Sequence, residues 1–181
     1  MLTRDIVLPK TMTRVLGVVL FTGLTCLGAF VRIPLPFTPV PITLQTLFVL
    51  LSGLLLGSRL GAASQLGYVA LGAAGLPIFT GAGSGFAYIA GPTGGYLAGF
   101  VLASFLMGSC VRFAKDNIVF LCGLVLVGNA IILLAGALWL KVFFGYAWNY
   151  LFFAGVLPFI PGDLLKSAVA LSLYKACNAR G

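Results

Sequence analysis

The sequence predicts an all-α integral membrane protein with six transmembrane helices and both termini in the cytoplasm. Three observations predict it. Hydrophobic residues make up 61% of the 181 positions and charged residues only 8%, where a soluble domain carries about 25% charge. The apolar runs are long enough for membrane helices and lack the strict alternation of barrel strands. The basic residues then segregate. With the N-terminus inside, Arg4, Lys10, Arg14, Arg59, Arg112, Lys115, Lys175 and Arg180 fall on the cytoplasmic side, and only Arg32, Lys141 and Lys166 fall outside. That is the bias expected of cytoplasmic loops. It also accounts for the net charge of +8 without a nucleic-acid partner. The length suits a single domain over 1–181, surrounded by membrane lipid.

The first helix follows a basic, amphiphilic start, and residues 15–31 carry no charge. A basic start before an apolar run also fits a signal peptide. No small-x-small cleavage site follows, however, and Gly23-Leu24-Thr25 ahead of Cys26 is not a lipobox. The helix is rich in small residues. Thr22/Cys26 and Thr25/Ala29 have the small-xxx-small spacing that lets another helix approach closely. Thr22, Thr25, Cys26 and Ala29 therefore form either an internal packing face or a docking face for a partner membrane protein.

Arg32–Pro41 holds four prolines, which rule out helix and favour a stiff, extended connection. A second helix covers Ile42–Gly57, with Thr43, Gln45 and Thr46 on its first turns. After the turn Gly57-Ser58-Arg59, a third runs over about Leu60–Ala74 and carries Ser64, Gln65 and Tyr68. Gly75–Gly95 is uncharged, glycine-rich and irregular. Non-helical backbone at membrane depth is tolerated only where it lines a cavity or is buried in protein, and glycine lets backbone approach a ligand closely. A fourth helix covers about Tyr96–Phe113, and Lys115-Asp116 marks a loop. The fifth helix, Asn117–Leu140, has one internal polar residue, Asn129. Lys141–Asn149 reads as an aromatic interfacial connection. The sixth helix starts near Pro161 and ends near Cys177. In the predicted topology, the proline-rich, glycine-rich and Pro161 connections share the outer face. Three such segments on one side make a pocket suited to a small external solute.

Several chemistries are excluded. The chain has no His and no Glu, which removes most metal sites and acid–base pairs, so neither enzyme nor cofactor is expected. Cys26, Cys110, Cys122 and Cys177 are scattered and read as packing residues. In the glycine-rich stretch Phe86 stands where G-x-G-x-x-G needs its last glycine, and no G-x-x-x-x-G-K-[ST] occurs, so the chain has no phosphate loop of its own. Thr93-Gly94-Gly95-Tyr96-Leu97 has the wrong order for a potassium filter.

One stretch does carry chemistry: Leu157-Pro158-Phe159-Ile160-Pro161-Gly162-Asp163-Leu164-Leu165-Lys166. Pro161 suits a first helical turn. Asp163 then sits near the positive end of the helix dipole, and Lys166, three residues on, shares its face. Ionisable groups inside a membrane segment cost about 2.5–3.5 kcal/mol each, so they point to function by default. The plainer reading is a helix-capping Asp and a Lys that snorkels to the interface.

The motifs Ile33-Pro34-Leu35-Pro36, Thr38-Pro39-Val40-Pro41-Ile42-Thr43-Leu44-Gln45-Thr46, Gly75-Leu76-Pro77, Gly91-Pro92-Thr93-Gly94-Gly95-Tyr96 and Leu157–Lys166 occur in this order. Together they resemble the BioY family, the biotin-specific substrate-binding component of energy-coupling factor transporters, from about Val15 to the C-terminus. The resemblance implies six helices in the cell membrane and biotin bound near the outer face. It also implies a partner module, made of a transmembrane coupling protein and two ATPase subunits. It makes Asp163 and Lys166 biotin contacts, lays the glycine-rich loop over the ligand, and makes the small-residue face of the first helix the docking surface. With the neighbouring polar residues, the candidate ligand set is Asp163, Lys166, Gln45, Thr43, Thr80, Gly83, Ser84, Tyr88 and Tyr96. The chain departs from the family pattern at two positions. Gly83 stands where some members have Asn, and Leu97 where some have Arg. Alternatives are a component for another small vitamin, and a channel or structural membrane protein. A channel would need a polar stripe continued across the bilayer, and the inner halves of these helices offer little beyond Asn129.

Overall fold

The computed structural model describes residues 9–114 and 117–178. Arg4, Lys115, Asp116 and Arg180 of the charge count lie outside the described residues. The structure is helical apart from one short ribbon. Helix α1 (Lys10–Phe30) leads into the antiparallel pair β1 (Arg32–Ile33) and β2 (Ile42–Thr43). Then come α2 (Gln45–Leu56), α3 (Ser58–Ala73), the short α4 (Gly85–Ile89), α5 (Gly94–Cys110) and α6 (Ile118–Phe144). The short α7 (Trp148–Tyr150) and α8 (Ile160–Asn178) close the chain. Segments 10–30, 94–113, 118–144 and 148–178 are long and apolar enough to cross a membrane. Against the six spans expected, α2 and α3 have 12 and 16 residues, short of the usual 20 or so.

Helix α5 lies at the centre, packed on α2, α3 and most extensively on α6. Small residues permit this. A Cβ at Gly99 would lie 2.9 Å from the backbone of Ile132 on α6, and one at Gly53 would lie 2.8 Å from the carbonyl oxygen of Ser104. One apolar cluster gathers Leu50, Leu54, Met107, Leu121 and Val125. A second gathers Tyr68, Phe79, Tyr96, Phe100, Ile132 and Phe159. Outward apolar side chains such as Leu20, Leu102, Val127, Leu134 and Leu165 are exposed, as suits a lipid-facing surface. Several buried polar groups are satisfied across helices. Gln65 donates through Nε2 to Thr25 Oγ1 at 3.3 Å and to Ser52 Oγ at 3.1 Å. Ser52 and Ser104 hydroxyls meet at 2.9 Å. This strip joins α1, α3, α2 and α5 where no water could serve.

The small-residue face of α1 needs correction. Thr22, Thr25 and Ala29 are buried and Cys26 is half-buried. Thr22 Oγ1 donates to the Ser64 carbonyl at 2.8 Å. Thr22, Thr25 and Ala29 thus pack within the chain, against α2 and α3, and of the four residues only Cys26 is partly exposed.

Several boundaries also differ from expectation. Residues 42–43 form a strand instead of a first helical turn, because they pair with Arg32 and Ile33. The glycine-rich stretch contains α4, and α5 begins two residues early. Helix α6 passes Lys141 and ends at Gly145, whose φ of 65° is the left-handed cap that glycine supplies. The aromatic connection thus shrinks to three residues, and helical turns resume at Trp148. They run on to α8 through a π-helical stretch (Leu151–Val156) and a 3₁₀ turn (Leu157–Phe159). Pro158 and Pro161 lack the N–H groups that Ala154 and Leu157 would need in regular α-helix, which distorts the ladder there.

Close approach of α5 and α6 gives a direct test. Gly99→Val should destabilise the protein by about 1–3 kcal/mol, the usual cost of overpacking. Gly123→Val, at a position with no atoms within 4 Å of the added Cβ, should leave thermal unfolding in detergent unchanged.

Candidate substrate-binding site

The three non-helical connections meet around one cavity. Val40 and Pro41 come from the proline-rich segment, Thr80, Tyr88 and Thr93 from the glycine-rich one, and Asp163 and Lys166 from the first turns of α8. The space left between them is narrow, about 50 Å³. Phe100, Ile132 and Phe159 make an apolar wall.

The charged pair sits at one end. Asp163 is 5% exposed and Lys166 7%, so neither snorkels to water. Lys166 Nζ lies 2.7 Å from Asp163 Oδ1. It also donates to the Thr43 carbonyl at 3.1 Å and to Thr46 Oγ1. Its three hydrogens thus have three acceptors. Thr46 Oγ1 lies 3.5 Å from the same carboxylate oxygen. The side-chain contacts to Asp163 converge on Oδ1. The pair is also braced from behind. Ser167 Oγ donates to the Asp163 carbonyl at 2.6 Å and accepts from Asn129 Nδ2 at 2.7 Å. Asn129 Oδ1 is the one buried side-chain polar atom without a partner among the described residues.

A second, neutral network lines the other wall. Gln45, buried at the start of α2, accepts at Oε1 from Thr43 and Thr80 hydroxyls, each at 3.2 Å. Its Nε2 donates to Tyr68 OH at 2.7 Å, and that hydroxyl donates to the Ile78 carbonyl at 3.3 Å. Tyr88 OH donates to the Thr80 carbonyl at 3.1 Å. The Phe79 ring stacks on Tyr88 with centroids 4.8 Å apart and meets Tyr68 edge-on. The glycine-rich loop is therefore tied to α2 and α3 through polar and aromatic contacts. Tyr96 lines the cavity with its ring, while its hydroxyl donates to the Gly155 carbonyl at 3.0 Å.

Of the sequence candidates, Asp163, Lys166, Gln45, Thr43, Thr80, Tyr88 and Tyr96 line this cavity, and Gly83 and Ser84 do not. Gly83 turns the chain so that its carbonyl accepts from Phe79 N at 3.0 Å, and the Tyr88 ring occupies the space a side chain there would need. Ser84 is exposed. Sequence reasoning passed over Thr46, although it stood on the same helical turn as Gln45. It also passed over the apolar wall, whose residues look the same in sequence as lipid-facing ones. Leu97 adds to that wall.

Comparison with known proteins fits this geometry. The BioY family model matches residues 3–180. A probable biotin transporter BioY of Pyrococcus horikoshii is 44% identical over 85% of this chain and 89% of its own length. The biotin transporter BioY of Thermotoga maritima is 38% identical over 83% of this chain and 87% of its own. The crystal structure of the S-component for biotin from an ECF-type ABC transporter superposes with a TM-score of 0.84 at 27% identity, covering 100% of this chain and 96% of that one. On a family match over nearly its whole length, and on that shared fold, the chain belongs to the BioY family.

Proposed function

We propose that this protein is the biotin-capturing membrane component of a vitamin uptake system. It lies in the cell membrane as a single domain over residues 1–181, with six spans and both termini cytoplasmic, so that the cavity opens outward. Biotin is its cargo. It is a transport protein rather than an enzyme, and no cofactor and no nucleic acid enter the reading. Accumulation is driven by a partner module, a transmembrane coupling protein with two ATPase subunits. The absence of a phosphate loop from this chain agrees with ATP being used elsewhere.

The observation that carries the reading is the Asp163–Lys166 pair in the wall of an otherwise neutral cavity. The ureido ring of biotin offers N–H donors and a carbonyl acceptor. A carboxylate supplies acceptors, and the ammonium supplies a donor when the ring carbonyl takes the place of one of its three protein acceptors, so the pair matches the ring group for group. The pair is near neutral in sum, which suits a neutral ring. The apolar wall of Phe100, Ile132 and Phe159 suits the sulfur-containing ring and the aliphatic chain.

Labelled biotin should bind the purified single chain without nucleotide, whereas uptake against a gradient should require the ATPase partners. A lone chain that binds biotin only when ATP is added would contradict this assignment. Losing a hydrogen bond to a charged group costs about 1.5–3 kcal/mol, and the surviving partner is left buried and unpaired. Asp163→Asn and Lys166→Met should each weaken biotin binding by about tenfold or more in equilibrium titration.

A further inference from the structure

The main cavity adjoins a second one, and the two share Pro41, Thr80, Tyr88 and Thr93. The second has a volume of about 320 Å³ and adds Arg32, Pro39 and Gly91 to its lining. Arg32 is the single cation lining either cavity apart from Lys166. Lys166 has its three hydrogens engaged, whereas Arg32 forms no ion pair among the described residues.

The placement of Arg32 is built in by the ribbon. Arg32 and Thr43 are cross-strand partners. Side chains directly opposite in an antiparallel pair project to the same face. Thr43 contributes to the main cavity, and its carbonyl accepts from Lys166. The ribbon therefore carries one residue that touches the inner charged pair and, beside it, one that stands at the mouth. The guanidinium lies against Gly81 of the glycine-rich loop, where a Cβ would sit 2.5 Å from Nη1. Gly81 has a φ of 78°, which glycine adopts without strain. A side chain at that position would displace the guanidinium.

We infer that Arg32 is the carboxylate subsite of this protein: it receives the anionic end of an elongated ligand whose neutral head is held by Asp163 and Lys166. The inference rests on the proposed biotin function and adds the group that selects for an acid. A guanidinium presents paired N–H donors that match a carboxylate bidentately. The four shared residues are all that separate the cavity of the inner pair from the one that Arg32 lines. Because Arg32 is exposed, the contribution is moderated by water and salt.

The test uses the full chain with two ligands, biotin and biotin amide, and two variants, Arg32→Gln and Arg32→Lys. Wild type should prefer biotin to its amide. Arg32→Gln should weaken biotin by about five- to tenfold and the amide by less than about twofold, which erases the preference. Arg32→Lys should keep part of the preference. The wild-type preference should also shrink as salt is raised. Equal weakening of both ligands by Arg32→Gln would overturn the inference, since Arg32 would then only brace the two loops. An unchanged affinity for biotin would overturn it as well. In both of those outcomes wild type still binds biotin, so the function stands. Failure of wild type to bind either ligand would remove the function and this subsite together.

Discussion

The structure depends on neutralising one ammonium inside an apolar membrane bundle. Lys166 is buried on the first turns of α8, and its three hydrogens go to Asp163, to the Thr43 carbonyl and to Thr46. An unpaired charge in such surroundings costs several kcal/mol, so in the ligand-free chain these acceptors hold the lysine in place. Two of them belong to the ribbon and the first turn of α2. Burial of the lysine therefore fixes α8 against α2, and it fixes the register at which the proline-rich segment crosses the mouth. Ser167 and Asn129 hold the same turn of α8 from the α6 side. The charged pair is thus clamped between two helices before any ligand arrives, which lowers the ordering cost of binding.

A second consequence concerns the loops. Backbone that is not helical must find partners within the protein when water is excluded. Here Tyr68 and Tyr88, both in the cavity wall, donate to the Ile78 and Thr80 carbonyls of the glycine-rich loop, and the Thr80 hydroxyl donates to Gln45. The proline-rich segment is tied down at its far side, where Tyr150 OH donates to the Phe37 carbonyl at 2.9 Å. Trp139 Nε1 does the same for Gly91 at 3.0 Å. The groups that make the loops stable and the groups that line the cavity are largely the same. A ligand that exchanges hydrogen bonds with this network would act on the loops directly. That is a physical route from binding at the site to a change of surface shape around the mouth.

Much of this was legible in the chain. Asp163 and Lys166 stood out because charge is rare in such a sequence and their spacing puts them on one helix face. The proline and glycine clusters marked the irregular segments, and the cavity is lined by all of them. What was hidden was hidden for definite reasons. Small residues on α1 serve close packing whether the neighbour is the same chain or another, so Thr22, Thr25, Cys26 and Ala29 could not declare which. Ile42–Thr43 became a strand through its pairing with Ile33 and Arg32, which local periodicity does not register. Lys141 did not end α6, because a long side chain there can reach outward, and its ammonium lies 5.5 Å from the Trp148 ring centroid. Phe100, Ile132 and Phe159 have the composition of lipid-facing residues and are set apart only by the packing around them.

The central claim is that the inner pair reads a neutral ring and not an acid. The most direct measurement is a titration of Lys166→Met with biotin and with biotin amide, each compared with wild type. The account predicts that the substitution weakens both ligands by the same factor, because both keep the ureido ring. Severe weakening of biotin with unchanged affinity for the amide would mean that Lys166 holds the carboxylate, and would contradict it.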